Sequence, residues 1–310
     1  MENKKTHNIT PQIEKLISSY VNSLDISISS KTTYTTSLKV FYEWFLGNYQ
    51  RSKQTVQKKH IILFKRVMFN KKRSEYSVSL YMSSLRGFFN WMIKAKKITE
   101  NPMEGIKKER TKKEFRRKPL NINQVKQLLH SFDKTDISEL RDYIMVYLMI
   151  TLGLRRIELV RMNVSDFSDN ELYIQGKFEK SKNECLLVGG SVKAELTNYI
   201  STLKKATPTT PMFSSYSNRN KNTRISFSHI SAMVKAHLRK VGINDPQITC
   251  HSLRHTCAVL LLTEGNNIYA TQVQLRHSSV DITRCYTHFI EKQHALKVNS
   301  AIMDNLFTAP

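Results

Sequence analysis

Residues 107–118 carry eight cations (Lys107, Lys108, Arg110, Lys112, Lys113, Arg116, Arg117 and Lys118) against Glu109 and Glu114, and they show no apolar period. A run of this kind has no face to bury, so it separates what folds before it from what folds after it. The chain therefore divides into residues 8–105, a basic linker at 106–120, and residues 121–310. A length of 310 residues suits two domains at about 150 residues each. A solvated linker is the plain reading of the run. Its charge is concentrated enough to favour a path along a nucleic-acid backbone.

The whole chain leans the same way. Its 49 Lys and Arg outnumber its 25 Asp and Glu, a formal net charge of +24. Residues 1–120 hold 26 cations and 9 carboxylates, residues 121–310 hold 23 and 16, so the first part grips polyanions harder. An acidic small molecule would not call for so large a field. With 40% apolar residues and only nine glycines and seven prolines, a packed core is expected and a low-complexity chain is excluded.

Met1–Pro11 is polar and does not read as a signal peptide. The longest near-continuous apolar stretch, Tyr143–Leu154, is too short for a bilayer and reads as a buried helix. Four cysteines without a C-x-x-C pair do not make a disulfide framework, which points to a reducing, cytoplasmic setting. Cys250, His251, His255 and Cys257 look like zinc ligands at first sight. Their crowding does not match paired-knuckle spacing, and Cys257 beside Ala258 and Val259 reads as a small core residue.

The first third has helical periods. Ile13, Leu16, Ile17, Tyr20, Val21 and Leu24 form one stripe. Tyr34, Leu38, Phe41, Tyr42 and Phe45 form a second, expected to end at Gly47. Val56–Asn70 and Glu75–Lys96 give two more, and Asn101-Pro102 breaks the chain. Four such helices make a small bundle. Beyond the linker, helices are expected at Asn121–His130, Glu139–Leu152, Val192–Lys204, Ser228–Lys240 and His251–Glu264. Glu171–Gly176 and Glu184–Val188 read as a hairpin around polar Lys177–Asn183. Glu291–Leu306 reads as a docking helix. The fold class is mainly α with a small β-sheet: a helical bundle followed by an α+β domain.

Four motifs stand in the second part. They are Thr151-Leu-Gly-Leu-Arg155-Arg-Ile-Glu158-Leu, Gly176-Lys177, His251-Ser-Leu-Arg254-His255-Thr, and Leu275-Arg276-His277 with Tyr286 nine residues on. Phosphodiester transfer needs charge stabilisation at the non-bridging oxygens, which two guanidiniums supply. It needs a nucleophile, which a tyrosine can be if its pKa of ~10 is overcome. It needs a proton for the departing 5′ oxygen, from a lysine or histidine. Arg155, Lys177, His251, Arg254, His277 and Tyr286 form that set. No carboxylate cluster suited to magnesium accompanies it.

In order and separation these strings resemble the tyrosine site-specific recombinases of the phage integrase family. Arg155 and His251 stand 96 residues apart, Arg254 and His277 stand 23 apart. The resemblance covers about residues 8–300. It implies a SAM-like core-binding bundle and a catalytic domain. It implies that Arg155 and Arg254 clamp the scissile phosphate and Lys177 protonates the leaving 5′-hydroxyl. His251 would serve the phenol, His277 would bond the phosphate, and Tyr286 would form a 3′-phosphotyrosyl link. No metal, ATP or other cofactor is implied. The implied partners are double-stranded DNA with paired recombination sites, further copies forming a homo-tetramer through exchange of the C-terminal helix, and accessory DNA-bending proteins. A membrane is not among them.

Three departures are visible. The family usually has Leu-Gly-His, whereas this chain has Leu275-Arg276-His277. If a positive φ is required there, arginine costs about 1 kcal/mol, unless its side chain adds a contact. The hairpin looks longer than usual, so Lys180 and Lys182 compete with Lys177. Arg156 follows Arg155 where an apolar residue is commoner. His255 reads as a buried structural histidine. An integrase or transposon recombinase is the leading role. An Xer-type resolvase, an invertase, a type IB topoisomerase and a catalytically idle clamp are the rivals.

Overall fold

In the computed structural model, residues 9–49, 55–107, 117–176, 181–204, 206–218 and 220–308 are described. They fall into two units, Met1–Lys112 and Lys113–Pro310.

The first unit is helical. α1 (Pro11–Asn22) opens with proline in its first turn, where the missing N–H costs nothing. α2 (Ile28–Tyr49) runs through Gly47, which was expected to stop it; one exposed glycine costs a helix only about 1 kcal/mol. α3 is Lys58–Asn70. α4 (Glu75–Lys94) starts at Ser74, whose hydroxyl accepts the Ser77 N–H. The stripes read from sequence meet in one aromatic core of Tyr20, Phe41, Tyr42, Phe45, Phe64, Phe88 and Phe89. Phe41 stands edge-on to Phe64 at 5.1 Å, a geometry that adds about 0.5–1.5 kcal/mol beyond area burial. At Asn101-Pro102 the chain turns, and the Asn101 side chain accepts the Met103 N–H at 2.9 Å.

The second unit is built on α6 (Ile137–Thr151), buried nearly all round as its continuous apolar sequence requires. α5 (Ile122–His130) precedes it, with a reciprocal cap between Asn121 and Gln124. After α6 come the six-residue α7 (Arg156–Arg161) and an antiparallel sheet of β1 (Phe167–Ser168), β2 (Glu171–Ile174) and β3 (Glu184–Leu187), ordered β1-β2-β3. The register pairs Tyr173 with Cys185. α8 (Gly190–Ser201), α9 (Phe227–Lys240), α10 (Cys250–Thr263) and α11 (Ile268–Leu275) follow.

α12 extends the sequence reading. It is one helix, Val280–Thr308, which takes in Glu291–Leu306 and begins before Tyr286. The cause is plain: no glycine or proline stands between Val280 and Thr308 to interrupt it. α7, β1 and α11 were not anticipated either. None is long enough to declare a period.

Among the described residues, no helix is long and apolar enough to cross a membrane. Nor does any group of three or more His, Cys, Asp and Glu there stand ready to hold a metal ion. Cys250 and Cys257 are buried in the packing, as the core reading of Cys257 expects.

Candidate active site

Two helix ends and two helix starts of the second unit build the site. α6 ends at Gly153, which has φ +63°. A Cβ there would lie 2.5 Å from Leu275 Cδ2 and 3.3 Å from Cys257 Sγ, so only glycine allows α10 and α11 to come this close. Arg155 then sits at the N-cap of α7. Its own N–H and its guanidinium both bond Glu158, at 2.7 and 2.8 Å, which folds the side chain back over the helix start. Glu158 is fully buried, and Arg155 keeps 25% of its side chain exposed.

α11 ends in a Schellman turn. Arg276 N–H bonds Val273 O and His277 N–H bonds Gln272 O, with Arg276 left-handed at φ 51°, ψ 51°. The positive φ feared from the sequence is therefore real. Its consequence is that two successive carbonyls face two guanidiniums. Arg254 Nη2 donates to Leu275 O, and Arg155 Nη2 donates to Arg276 O at 2.9 Å. Arg254 Nη1 also bonds Gly153 O at 2.6 Å. The Arg276 side chain does have a contact of its own: Nη2 bonds Glu158 Oε2 at 2.8 Å, and Nη1 bonds Gln274 O at 2.7 Å.

His251 and Arg254 lie in the first turns of α10, and His255 stands one turn beyond His251, ring to ring at 4.5 Å. Tyr286, on α12, is 1% exposed. Its hydroxyl meets His255 Nδ1 at 2.6 Å, and its ring lies parallel to His277 at 6.1 Å. His277 Nδ1 in turn meets Thr283 Oγ1 at 2.9 Å. Arg155, His251, Arg254, His277 and Tyr286 are thus brought together. Lys177 lies outside the described residues, as does Lys180. Lys182 is committed elsewhere, with both Asp166 oxygens at 2.6 Å from its Nζ.

Of the linker cations, Lys108, Arg110, Lys112, Lys113 and Arg116 lie outside the described residues. Lys107 and Arg117 are exposed. Lys118 pairs with Asp245 at 2.8 Å.

The electrostatics follow from crowding cations in a buried place. Burial, then Arg254 and Arg155, lowers His251 to about 4. Burial, then Arg254 and Arg155, also takes His277 to about 3. Burial, then His251 and Arg254, takes His255 to about 3. All three are neutral at pH 7. Burial and the neighbouring Arg155 and Arg276 press Arg254 down to about 9, which still leaves it a cation. Burial raises Tyr286 well above the ordinary phenol value, with Arg254 and Arg155 opposing. The resting tyrosine is a neutral phenol bonded to a neutral imidazole.

His255, read from sequence as a structural histidine, is the residue the structure places against the Tyr286 hydroxyl. A signal existed. His251 and His255 are i and i+4 on one helix, so they share a face.

What the arrangement can do is bind a phosphate between cations with a phenol beside it. Comparisons with known proteins give the family and the fold. The profile of the Phage integrase family matches residues 118–293, and that of the phage integrase N-terminal SAM-like domain matches residues 17–96. A tyrosine recombinase XerC from Caldanaerobacter subterraneus subsp. tengcongensis is 32% identical over 222 residues, 70% of this chain and 60% of that relative. A tyrosine recombinase from Pseudothermotoga lettingae is 31% identical over 236 residues, 75% of this chain and 77% of the relative. In fold, the chain is similar to the XerH site-specific recombinase solved on a palindromic difH substrate. The TM-score is 0.72 at 19% identity, covering 93% of this chain and 83% of that one.

Proposed function

The chain belongs to the phage integrase family and is a tyrosine site-specific recombinase, and on that premise we propose that it cuts and rejoins DNA through a 3′-phosphotyrosyl link on Tyr286. The observation that carries this is the Leu275–Arg276 turn, which holds the Arg155 and Arg254 guanidiniums beside His277 and Tyr286.

Each residue has a role in the reading. Arg155 and Arg254 neutralise the non-bridging oxygens as negative charge grows in the transition state. The Tyr286 oxygen attacks phosphorus, and the bond to the 5′ oxygen breaks. The phenol proton leaves toward His251, and His277 bonds a phosphate oxygen. Lys177 gives the departing 5′ oxygen its proton; the commitment of Lys182 to Asp166 supports Lys177 over that rival. Rejoining reverses every step with a new 5′-hydroxyl. The phosphotyrosine keeps the energy of the phosphodiester, so neither ATP nor a metal is assigned a part. DNA must also release Tyr286 from His255, because a buried neutral phenol is a poor nucleophile.

Strand exchange between paired sites involves four strands and one tyrosine per strand. That supports a tetramer passing through a Holliday junction. α12 leaves Leu296, Val298 and Ile302 exposed, at 55%, 42% and 51%, a face suited to docking on the next copy. The basic linker would track DNA, and DNA-bending proteins would assist. The setting is the cytoplasm, where DNA and reduced thiols occur together.

Integration or excision of a mobile element is the leading role. An Xer-type resolvase is the second reading, favoured by the XerC relative. The test uses nicked suicide duplexes drawn from DNA flanking the protein's own gene. Wild type should give an adduct that survives denaturation and is digested by protease, and Tyr286→Phe should give none while binding DNA equally. An adduct on a chromosomal terminus site instead would select the resolvase. Relaxation of supercoiled plasmid without any site preference would point to a topoisomerase.

A further inference from the structure

We infer that Arg276 is a positioning residue for the phosphate site, keeping Arg155 electrically available to the DNA. The inference rests on the functional reading above and concerns the one motif position where this chain departs from the family pattern.

The argument begins with Glu158. Its carboxylate is fully buried and shared by two guanidiniums, Arg155 Nη1 on Oε1 and Arg276 Nη2 on Oε2, both at 2.8 Å. Oε2 also accepts the Arg155 N–H at 2.7 Å. This carboxylate fixes the Arg155 side chain at the head of α7. Alone, it would also cancel the Arg155 charge, because an ion pair in a dry site is close to neutral seen from outside. Arg276 supplies the second cation. Around the buried Glu158 the two arginines leave one positive charge in excess. Glu184, about a third exposed and at the longer distance of 3.4 Å from Arg276 Nε, offsets part of it from the solvent side, and Arg254 adds a further cation.

Arg276 does this without reaching for DNA. Only 4% of its side chain is exposed. Its donors go to Glu158, Gln274 O and, at 3.4 Å, Gly153 O, and Nε lies 3.4 Å from Glu184 Oε2 at the start of β3. Meanwhile its backbone carbonyl accepts from Arg155 Nη2. One residue thus holds the Arg155 guanidinium by its main chain and offsets the Arg155 counter-ion by its side chain. Its left-handed backbone is unfavourable for any residue but glycine. A left-handed arginine whose main chain and side chain both bear on the Arg155–Glu158 pair points to function there.

The test compares Arg276→Gln, Arg276→Lys and Arg276→Gly with wild type. Single-turnover cleavage is measured on the flanking-DNA suicide duplex at saturating protein. A second duplex carries a methylphosphonate at the scissile position, which is neutral and so needs less cationic help. We expect Arg276→Gln and Arg276→Gly to cleave the phosphate duplex roughly tenfold or more slowly. DNA affinity should stay within about threefold, and Arg276→Lys should recover most of the rate because it restores charge. On the methylphosphonate the deficit of the uncharged variants should shrink toward nothing.

A merely structural arginine would leave that deficit the same on both duplexes, and this result would overturn the inference. So would a lysine variant as slow as glutamine, or uncharged variants as fast as wild type. Should Arg276→Gln fail to fold by circular dichroism, Arg276→Gly carries the comparison, since it relieves the left-handed backbone. Absence of an adduct with wild type would be a different failure. It would strike the recombinase reading itself and take this inference with it.

Discussion

The two units keep their charges in opposite places. Among the described residues of the helical unit the buried polar side chains are Ser37, His60 and Ser84, and none of its Lys or Arg is buried with the aromatic core. In the catalytic unit Arg141, Asp142, Glu158, Asp166 and Arg254 are all buried. Apolar burial is the main force that holds the first together. The second holds charges that packing would reject unless each had partners, and they have them: Arg141 with Asp142, Arg254 with two carbonyls, Glu158 with two arginines. The difference teaches what each unit is for. On the proposed reading, the first unit would present charge to a polyanion, and the second stores charge where water screens it little.

The largest effect should come from breaking each unit in its own terms. Phe41→Ala empties the middle of the aromatic core and should cost about 3–5 kcal/mol. Glu158→Ala leaves the buried Arg276 and the partly buried Arg155 without their shared counter-ion and should also cost about 3–5 kcal/mol. Denaturant titration measures both losses. Cleavage of the suicide duplex by the folded fraction then separates them. Phe41→Ala should cleave within about twofold of wild type, whereas Glu158→Ala should fall on the order of 10²-fold. Equal cleavage by the two variants would erase the distinction between the units.

The same distinction decides what could be read in advance. Bundle positions such as Phe41, Phe64 and Phe88 announce themselves because a buried stripe repeats at three and four residues. Arg155, His251, Arg254, His277 and Tyr286 announce themselves because their motifs fall in a fixed order. What stayed hidden depends on tertiary approach. The Tyr286 bond to His255 joins α12 to α10 across 31 residues of sequence. The Arg276 bond to Glu158 spans 118. No local pattern encodes either. α7 and α11, at six and eight residues, are too short to show a period.

Acidification should sharpen the contrast next. His251, His255, His277 and His237 of the catalytic unit all have folded pKa values below the ordinary one, each chiefly from burial. In the helical unit only His60, among the described residues, is lowered. An unfolded histidine takes up its proton near pH 6.5. The folded ones of the site wait until about 4 or 3. Between those limits the unfolded state binds more protons, so stability falls as pH falls. By pH 5 the loss should be on the order of 2 kcal/mol for each of the half-buried His255 and His277, and smaller for His251, which is exposed and screened by water. Hydrogen exchange followed from pH 7.5 to 5 should therefore show amides of Lys113–Pro310 losing protection before those of Met1–Lys112. The reverse order would mean that these histidines do not govern the catalytic unit. DNA phosphate should oppose the effect, because a nearby anion favours the imidazolium.

The smallest effect should come from an ion pair of the gripping unit. Lys39 and Glu14 meet at 2.8 Å between α2 and α1, with 41% and 51% of their side chains exposed. Water screens such a pair, and holding two long side chains together costs entropy, so Glu14→Gln should change stability by under ~1 kcal/mol. Added salt should shrink even that. Binding should move the other way from stability. The substitution removes one of only nine carboxylates in residues 1–120, and any anion there repels DNA. Glu14→Gln should therefore bind duplex DNA slightly tighter at low salt, with the gain gone at high salt. Equilibrium titrations across a salt series measure this. A loss of several kcal/mol in the same variant would show the helical unit relying on charge pairs as the catalytic unit does.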